Sequence, residues 1–269
     1  MKLIPADKKK HVAVAGGGIA GMAAARVLAL RGHTVTLFEK TDRLGGQLLL
    51  ACVPPFKQPI SKWVVYLEHE LTRLSVDIRL HTEFCENMKD AYDALIVATG
   101  AMEAVPPIPG LAEHGIGAWE VLKNEQLIPG GNVMVVGGGM VGCEIAALLG
   151  EQEHEVDVIE LRGEIGADVI REHKIYLMKD FEQYRIGQIT GAKVCRFYKD
   201  GVEYEGADGA RHEARGYDSV VLAMDYRSCN PFAGQIEKLG KEVYVIGDAH
   251  QARRALEATS EAYQAAIRL

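Results

Sequence analysis

The chain of 269 residues is 48% hydrophobic and 25% charged, with a formal net charge of −7 at pH 7, which is length enough for one or two domains with a sizeable core. That acidic balance excludes the basic face a nucleic-acid footprint needs. No apolar run approaches the roughly eighteen residues of a membrane span.

The opening MKLIPADKKK, residues 1–10, reads as a linker. It is basic, lacks an apolar stretch followed by a small-residue cleavage site, and suits a cytoplasmic protein. VAVAGGGIAG (Val12–Gly21) then reads as a buried strand, a glycine turn and a helix. In that turn Gly16 permits the tight bend, Gly18 lets the backbone approach a pyrophosphate, and Gly21 allows close helix–strand packing. The helix N-terminus, which includes Ala20, offers unpaired N–H groups and partial positive charge to phosphates. The next strand, HTVTLFE, closes on Glu39, placed to accept hydrogen bonds from ribose hydroxyls, with Lys40 beside it. RLGGQL (Arg43–Leu48) follows, then the strand DALIVATG (Asp93–Gly100). MEAVPPIPG (Met102–Gly110), with three prolines in four positions, ends the first domain.

The second domain repeats the first. Gly137, Gly139 and Gly142 in VMVVGGGMVG stand at a constant offset of 121 from the first triplet, and Glu160, closing HEVDVIE, stands at the same offset from Glu39. DSVVLAMD (Asp218–Asp225) matches DALIVATG at an offset of 125. One glycine-rich turn is a weak signal, but two in register, each with a strand, a helix and a distant acid, indicate two dinucleotide-binding units. RLGGQL follows only the first copy. Between Glu160 and the repeated DSVVLAMD, turns at Asp200–Gly201 and Asp208–Gly209 break β-rich runs into a hairpin series. The last segment is a strand, the turn VIGDA (Val245–Ala249) and an alanine-rich helix, which returns to complete the first domain. The expectation is therefore an α/β chain with two Rossmann-like dinucleotide-binding domains, the second inserted in the first: 11–104 with 240–269, and 105–239.

Cys52, Cys85, Cys143, Cys195 and Cys229 form no CxxC or close pair, which points to structural thiols and leaves no zinc or iron–sulfur ligand set. His11, His33 and His154 flank strand starts, where polar residues cap or meet solvent, and His250 reads as a surface residue without a partnering acid.

GGQLLLACVPPFKQPI, ALIVATGA, VPPIPG, VMVVGGGMVGCEIA, LAMDYRSCNPF and VIGDAHQARRALEA, in that order, resemble the C-terminal half of the NADH:flavin oxidoreductase family. That family includes 2,4-dienoyl-CoA reductase, trimethylamine dehydrogenase and the bile-acid-inducible oxidoreductases. The resemblance spans essentially the whole chain and implies the two-domain fold of glutathione and thioredoxin reductases. It further implies FAD on the first turn, contacted by Gly46, Gln47, Ala98, Thr99, Gly100 and Gly247. Asp248 would hold the ribityl hydroxyls, and the helix starting near Arg253, with Arg254 and Ala255, would point at the flavin ring. The second turn, with Met140 and Val141, would hold the nicotinamide nucleotide. Glu160 there would favour NADH over NADPH by repelling a 2′-phosphate, with Arg162 softening the preference. Glu144 is either a nicotinamide-side contact or a favourable charge in the first helical turn, the second being the safer reading.

The family's partner is an FMN and iron–sulfur barrel, absent from this sequence, that takes up the electrons. Lone Cys52 and Cys143 argue against disulfide reduction. No catalytic side chain is nominated, because the cofactor carries the chemistry. Two alternatives are an ADP-binding, non-redox structural module and a free-standing NADH oxidase or diaphorase. Asp225 departs from the pattern: it stands where glycine normally closes the second LAxG-type turn, and a positive φ there would strain it. Val105–Gly110 and the segment after Asp225 are candidate hinges.

Overall fold

The computed structural model describes residues 3–123, 128, 131–234 and 236–269. These form two compact units: residues up to Cys52 with Gln58–Met102 and Tyr226–Leu269, and Val53–Lys57 with Glu103–Asp225.

The first unit begins with β1 (His11–Ala15), α1 (Ile19–Leu30) and β2 (Thr34–Phe38), then α2 (Leu48–Ala51), α3 (Ile60–Arg73), β3 (Asp77–Arg79), β4 (Ala94–Val97) and the short β5 (Ala101–Glu103). The second unit follows as α4 (Leu111–His114), β6 (Gly115–Gly117), α5 (Ala118–Lys123), β7 (Asn132–Val136), α6 (Met140–Glu151), β8 (Glu155–Glu160), α7 (Arg171–Gln183) and β9 (Gly187–Thr190). It ends with β10 (Lys193–Tyr198), β11 (Gly201–Glu205), β12 (Arg211–Arg215) and β13 (Ser219–Leu222). The chain then closes the first unit with β14 (Tyr226–Ser228), β15 (Glu242–Val245) and α8 (Ala255–Arg268).

Each unit is built on a five-stranded parallel sheet, ordered β15-β4-β1-β2-β3 in one and β6-β13-β7-β8-β9 in the other. Four strands correspond in order, β4-β1-β2-β3 to β13-β7-β8-β9, while the outer strand follows them in the chain in one unit (β15) and precedes them in the other (β6). Central strands buried on both faces need continuous apolar runs, and ALIV of β4, SVVL of β13 and all but the first residue of β1 and β7 are buried. In each sheet the order reverses beside the first strand of the repeat, so the glycine turns after β1 and β7 lie at the switch point where α/β sheets bind ligands.

The antiparallel sheet β10-β11-β12 is the expected hairpin series. The alanines of α8 are its packing face. Ala258, Ala262, Ala265 and Ala266 recur at helical spacing and are buried, and α8 packs extensively on α1, whose Ala24, Ala25 and Leu28 belong to the same buried cluster. Small side chains let the two helices approach closely.

The return into the first unit comes at Tyr226, whereas the sequence reading placed it at 240. Phe232 and Leu239 explain the difference, since both are buried in a cluster with Phe38, Phe84 and Tyr92 of the first unit. Within the expected linker, residues 3–10 also pack on that unit, with Ala6 N donating to Arg31 O at 2.9 Å and Lys10 Nζ to Glu242 at 2.6 Å.

Two expectations about histidines change. His33 is buried, its Nδ1 accepting from Lys10 N at 3.1 Å while Nε2 has no hydrogen-bond partner. Burial, with Arg31 and Lys10 nearby, holds its pKa below the usual histidine value. His250 is exposed but has an acid partner, Glu261, at 3.2 Å.

Candidate functional site: two glycine cradles

The two turns share their backbone geometry. Gly16 and Gly137 have φ of 107° and 108°, a left-handed conformation that side chains resist. Gly18 and Gly139 precede their helices at φ −73° with ψ −175° and −173°. A Cβ on Gly16 would meet Ala98 O at 2.3 Å, and one on Gly137 would meet Ala223 O at 2.2 Å. A Cβ on Gly21 or Gly142 would lie 1.9 or 1.8 Å from the carbonyl of the first glycine. Outer glycines thus serve tight turning and packing. Gly18 differs: a Cβ there would meet nothing within 4 Å, so the space over the N-terminus of α1 is open. Such a cradle fits a diphosphate approached by bare backbone.

The acids are tied to the same loops. Glu39, buried, accepts from Gly17 N at 2.8 Å, from Thr41 N at 2.8 Å and from the Thr41 hydroxyl at 2.9 Å. Glu160 accepts from Gly138 N at 2.6 Å and Arg162 N at 2.8 Å. Each carboxylate therefore fixes its glycine turn as well as standing at the strand end, a role that the spacing alone did not reveal. Lys40 is exposed beside Glu39.

In the first unit a second polar wall converges on the cradle. A Cβ on Gly247, at φ 60°, would meet Ala20 Cβ at 2.7 Å, which puts the Gly–Asp turn against the start of α1. Asp248 accepts from Gln47 Nε2 at 3.2 Å and from Arg253 N at 3.0 Å. Burial pushes its carboxyl above the usual carboxylate range, with those two donors pulling against the shift. A Cβ on Gly100 would lie 3.7 Å from Gln47 Nε2, and the Thr99 hydroxyl donates to Cys229 O. Gly46 abuts Gly18: its Cβ would sit 3.1 Å from Gly18 Cα.

α8 begins at Ala255, with Arg254 as its cap and Glu257 accepting from Arg254 N at 3.2 Å. Glu261, an acid missed in the sequence, accepts from Gly247 N at 2.8 Å and pairs with Arg253. Burial works to raise its pKa, but the Arg253 guanidinium, His250 and Gly247 N hold it below the usual range.

In the second unit Met140 and Val141 open α6. Glu144 does not lie in the first helical turn as expected. It is one turn further on, buried, ion-paired with Lys57 and 3.8 Å from His173 Nε2. Cys143 is buried with its Sγ 3.3 Å from Gly138 O, and burial, with Asp168, Glu144 and Glu160 nearby, pushes its pKa up to about 12. A thiol so held is no nucleophile. All five cysteines are free. Asp225 is not among the positive-φ residues, so its side chain meets no left-handed strain, and its carbonyl accepts from Ala104 N at 2.9 Å.

The second copy also carries a counterpart of RLGGQL, contrary to expectation. At the same offset of 121, Leu44, Gly45, Gly46, Gln47 and Leu48 become Ile165, Gly166, Ala167, Asp168 and Val169. Gly45 N donates to Gly17 O at 2.9 Å, and Gly166 N donates to Gly138 O at 2.7 Å. Leu44 and Ile165 back the middle glycine of each turn, where a Cβ would meet them at 2.5 and 2.6 Å. Past this point the copies diverge. Ser75 and Arg185, both at φ 56°, match at an offset of 110, so the first copy holds eleven more residues, and these include Val53–Lys57 of the second unit.

Comparison with known proteins agrees with this architecture. The chain is 41% identical over 269 residues to bilirubin reductase of Mediterraneibacter gnavus, covering 98% of this chain and 41% of that protein. It is 35% identical over 268 residues to an NADH oxidase of Thermoanaerobacter brockii, covering 97% and 41%. The structure of a 2-naphthoyl-CoA reductase complex superposes with a TM-score of 0.93 at 29% identity, over all of this chain and 41% of the other. The chain therefore spans about two fifths of the length of these relatives. The profile of the pyridine nucleotide-disulphide oxidoreductase family, whose members bind FAD and NAD(P)H, matches residues 10–230. With both glycine cradles and both parallel sheets inside or bordering that span, the chain belongs to the pyridine nucleotide-disulphide oxidoreductase family.

Proposed function

We propose that this chain is an NADH-dependent flavin reductase module, with FAD in the first cradle, NADH in the second, and electrons handed on to an FMN and iron–sulfur barrel in a partner domain or subunit. One observation carries the reading: two cradles of matching backbone geometry, of which only the first has an open helix N-terminus joined to the Gln47–Asp248 wall. Bound flavin supplies the hydride-accepting and electron-passing chemistry. The chain's own residues bind and orient.

Gly16, Gly18, Ala20 and Gly21 hold the FAD diphosphate at the start of α1. Glu39 and Lys40 face its adenosine ribose, while Gly46, Gln47, Ala98, Thr99, Gly100 and Gly247 line the rest of its path. Asp248 accepts from the ribityl hydroxyls, and the start of α8 at Arg254 and Ala255 favours negative charge on the ring. Gly137, Gly139, Met140, Val141 and Gly142 receive the nicotinamide nucleotide, with Glu144 close by on α6. Glu160, an acid at the ribose position, disfavours the extra phosphate of NADPH.

The relatives named reductases and NADH oxidase support redox use of these sites. The further length of those relatives supports a separate acceptor domain. The test is an absorption spectrum of the purified protein before and after anaerobic NADH. A flavin spectrum bleached by NADH, and less readily by NADPH, is expected. A colourless protein carrying ADP and indifferent to NADH would overturn the reading. Steady NADH consumption in air without any partner would replace the module with a free-standing oxidase.

A further inference from the structure

The duplicated loop after each acid ends in different chemistry. In the first unit the loop residue Gln47 is neutral and turns to Asp248, and the space over Gly18 stays open. In the second unit the residue in its place is Asp168. Its Oδ1 and Oδ2 accept from Met140 N, the first amide of α6, at 3.0 and 3.3 Å. A Cβ on Gly139 would meet the same two oxygens at 3.5 and 3.4 Å. The volume that is empty above Gly18 is thus filled above Gly139 by a carboxylate. The loop is held there by Gly166 N on Gly138 O and by buried Ile165 and Val169 on either side.

We propose that Asp168 is a built-in competitor for the second cradle, a side chain that the diphosphate of the nicotinamide nucleotide must displace from the N-terminus of α6. This rests on the reading of the second cradle as the nicotinamide site. A helix N-terminus stabilises one anion through its bare amides and partial charge. Two anions within a few ångströms of each other on those amides repel, so either the carboxylate or the diphosphate occupies them. The consequence separates the two ligands by lifetime. Among the described residues none comes within 4 Å of a Cβ placed on Gly18, which suits a resident cofactor. A substrate nucleotide leaves each time it reacts, and a carboxylate waiting to return to Met140 N weakens its hold.

The test is calorimetric titration of ADP-ribose, which has the diphosphate but no nicotinamide, into full-length protein saturated with FAD so that the first cradle is filled. Asp168→Asn keeps the shape and removes the charge, whereas Asp168→Glu keeps the charge. Asp168→Asn is expected to bind ADP-ribose about 3- to 30-fold tighter than the parent, the range set by the strength of helix-terminus anion interactions. Asp168→Glu is expected to stay near the parent. If Asp168→Asn binds equally or more weakly while the parent binds, the carboxylate is a spectator or a nucleotide ligand, and the competitor is overturned alone. If neither parent nor variant binds ADP-ribose while both retain FAD and melt cooperatively, the nicotinamide reading of the second cradle falls with it.

Discussion

At the scale of single residues, the three glycines of a cradle are not equivalent. Gly21 has no room for a methyl group, because Gly16 O would lie 1.9 Å away, whereas Gly18 has space and an ordinary φ. Gly21→Ala should therefore destabilise the fold by about 1–3 kcal/mol or more through overpacking, lowering Tm by about 2–4 °C per kcal/mol in a chain of this size. Gly18→Ala should melt like the parent but lose FAD affinity by about tenfold or more, since a methyl group displaces a charged ligand from its backbone donors. Thermal melts and flavin titrations on both variants check this. Equal loss of stability in the two would show that the open space over Gly18 is not a ligand's.

The glycine positions and Glu39 were visible in the sequence through fixed spacing, and Asp248 through the family resemblance. Lys57 on Glu144, Glu261 on Gly247 and Thr41 on Glu39 were not. The first joins residues 87 apart and the second residues 14 apart across a turn, and no spacing rule links either pair.

At the scale of elements, the helix–strand junctions carry the less expected chemistry. His33 lies between α1 and β2, buried, with one ring nitrogen accepting from Lys10 N and the other unpartnered. Its folded pKa lies below the ordinary value of about 6.5. Between the folded value and 6.5 the unfolded chain binds the proton and the native chain does not, so this residue's contribution to stability is present above 6.5. It is lost as pH falls through the folded value, by up to about 1.4 kcal/mol per pH unit. His33→Gln, which keeps an acceptor for Lys10 N, should flatten the decline in stability on acidification below pH 6.5, as read by urea melts across pH 5–7.5. An unchanged slope would assign that decline to other groups.

The loop that ends in Asp168 belongs to this scale too. It was legible in principle, because the offset of 121 that links the glycines also links Leu44–Leu48 to Ile165–Val169. Only Gly45 and Gly166 are identical there, so a reading based on letters passed over a conserved shape.

At the scale of the whole molecule, the two sheets were legible through their central strands, because ALIV and SVVL and most of β1 and β7 are buried runs and the repeat matches them in pairs. The return point was less so. It depends on Phe232 and Leu239 joining an aromatic cluster built mostly from distant residues, while the sequence between Tyr226 and Lys241 has no long periodic pattern. The Glu103–Asp225 stretch of the second unit starts and ends beside the hydrogen bond from Ala104 N to Asp225 O at 2.9 Å. Replacing Glu103–Asp225 with a short Gly–Ser turn should therefore leave a folded protein that binds FAD within about tenfold of the full chain and no longer responds to NADH. Circular dichroism, flavin fluorescence and anaerobic NADH addition would check it. An unfolded product would mean that the first sheet needs its guest.

The closeness of the two ends of Glu103–Asp225, where β5 and β14 also pair, has a genealogical consequence. A duplicated gene segment whose termini already touch can be dropped into a host at one point, because the host's strand order is never interrupted, only paused. The same property makes the second unit a cassette. A reductase could exchange Glu103–Asp225 for a relative with another nucleotide preference through two junctions that lie side by side, with only Val53–Lys57 left to match the newcomer.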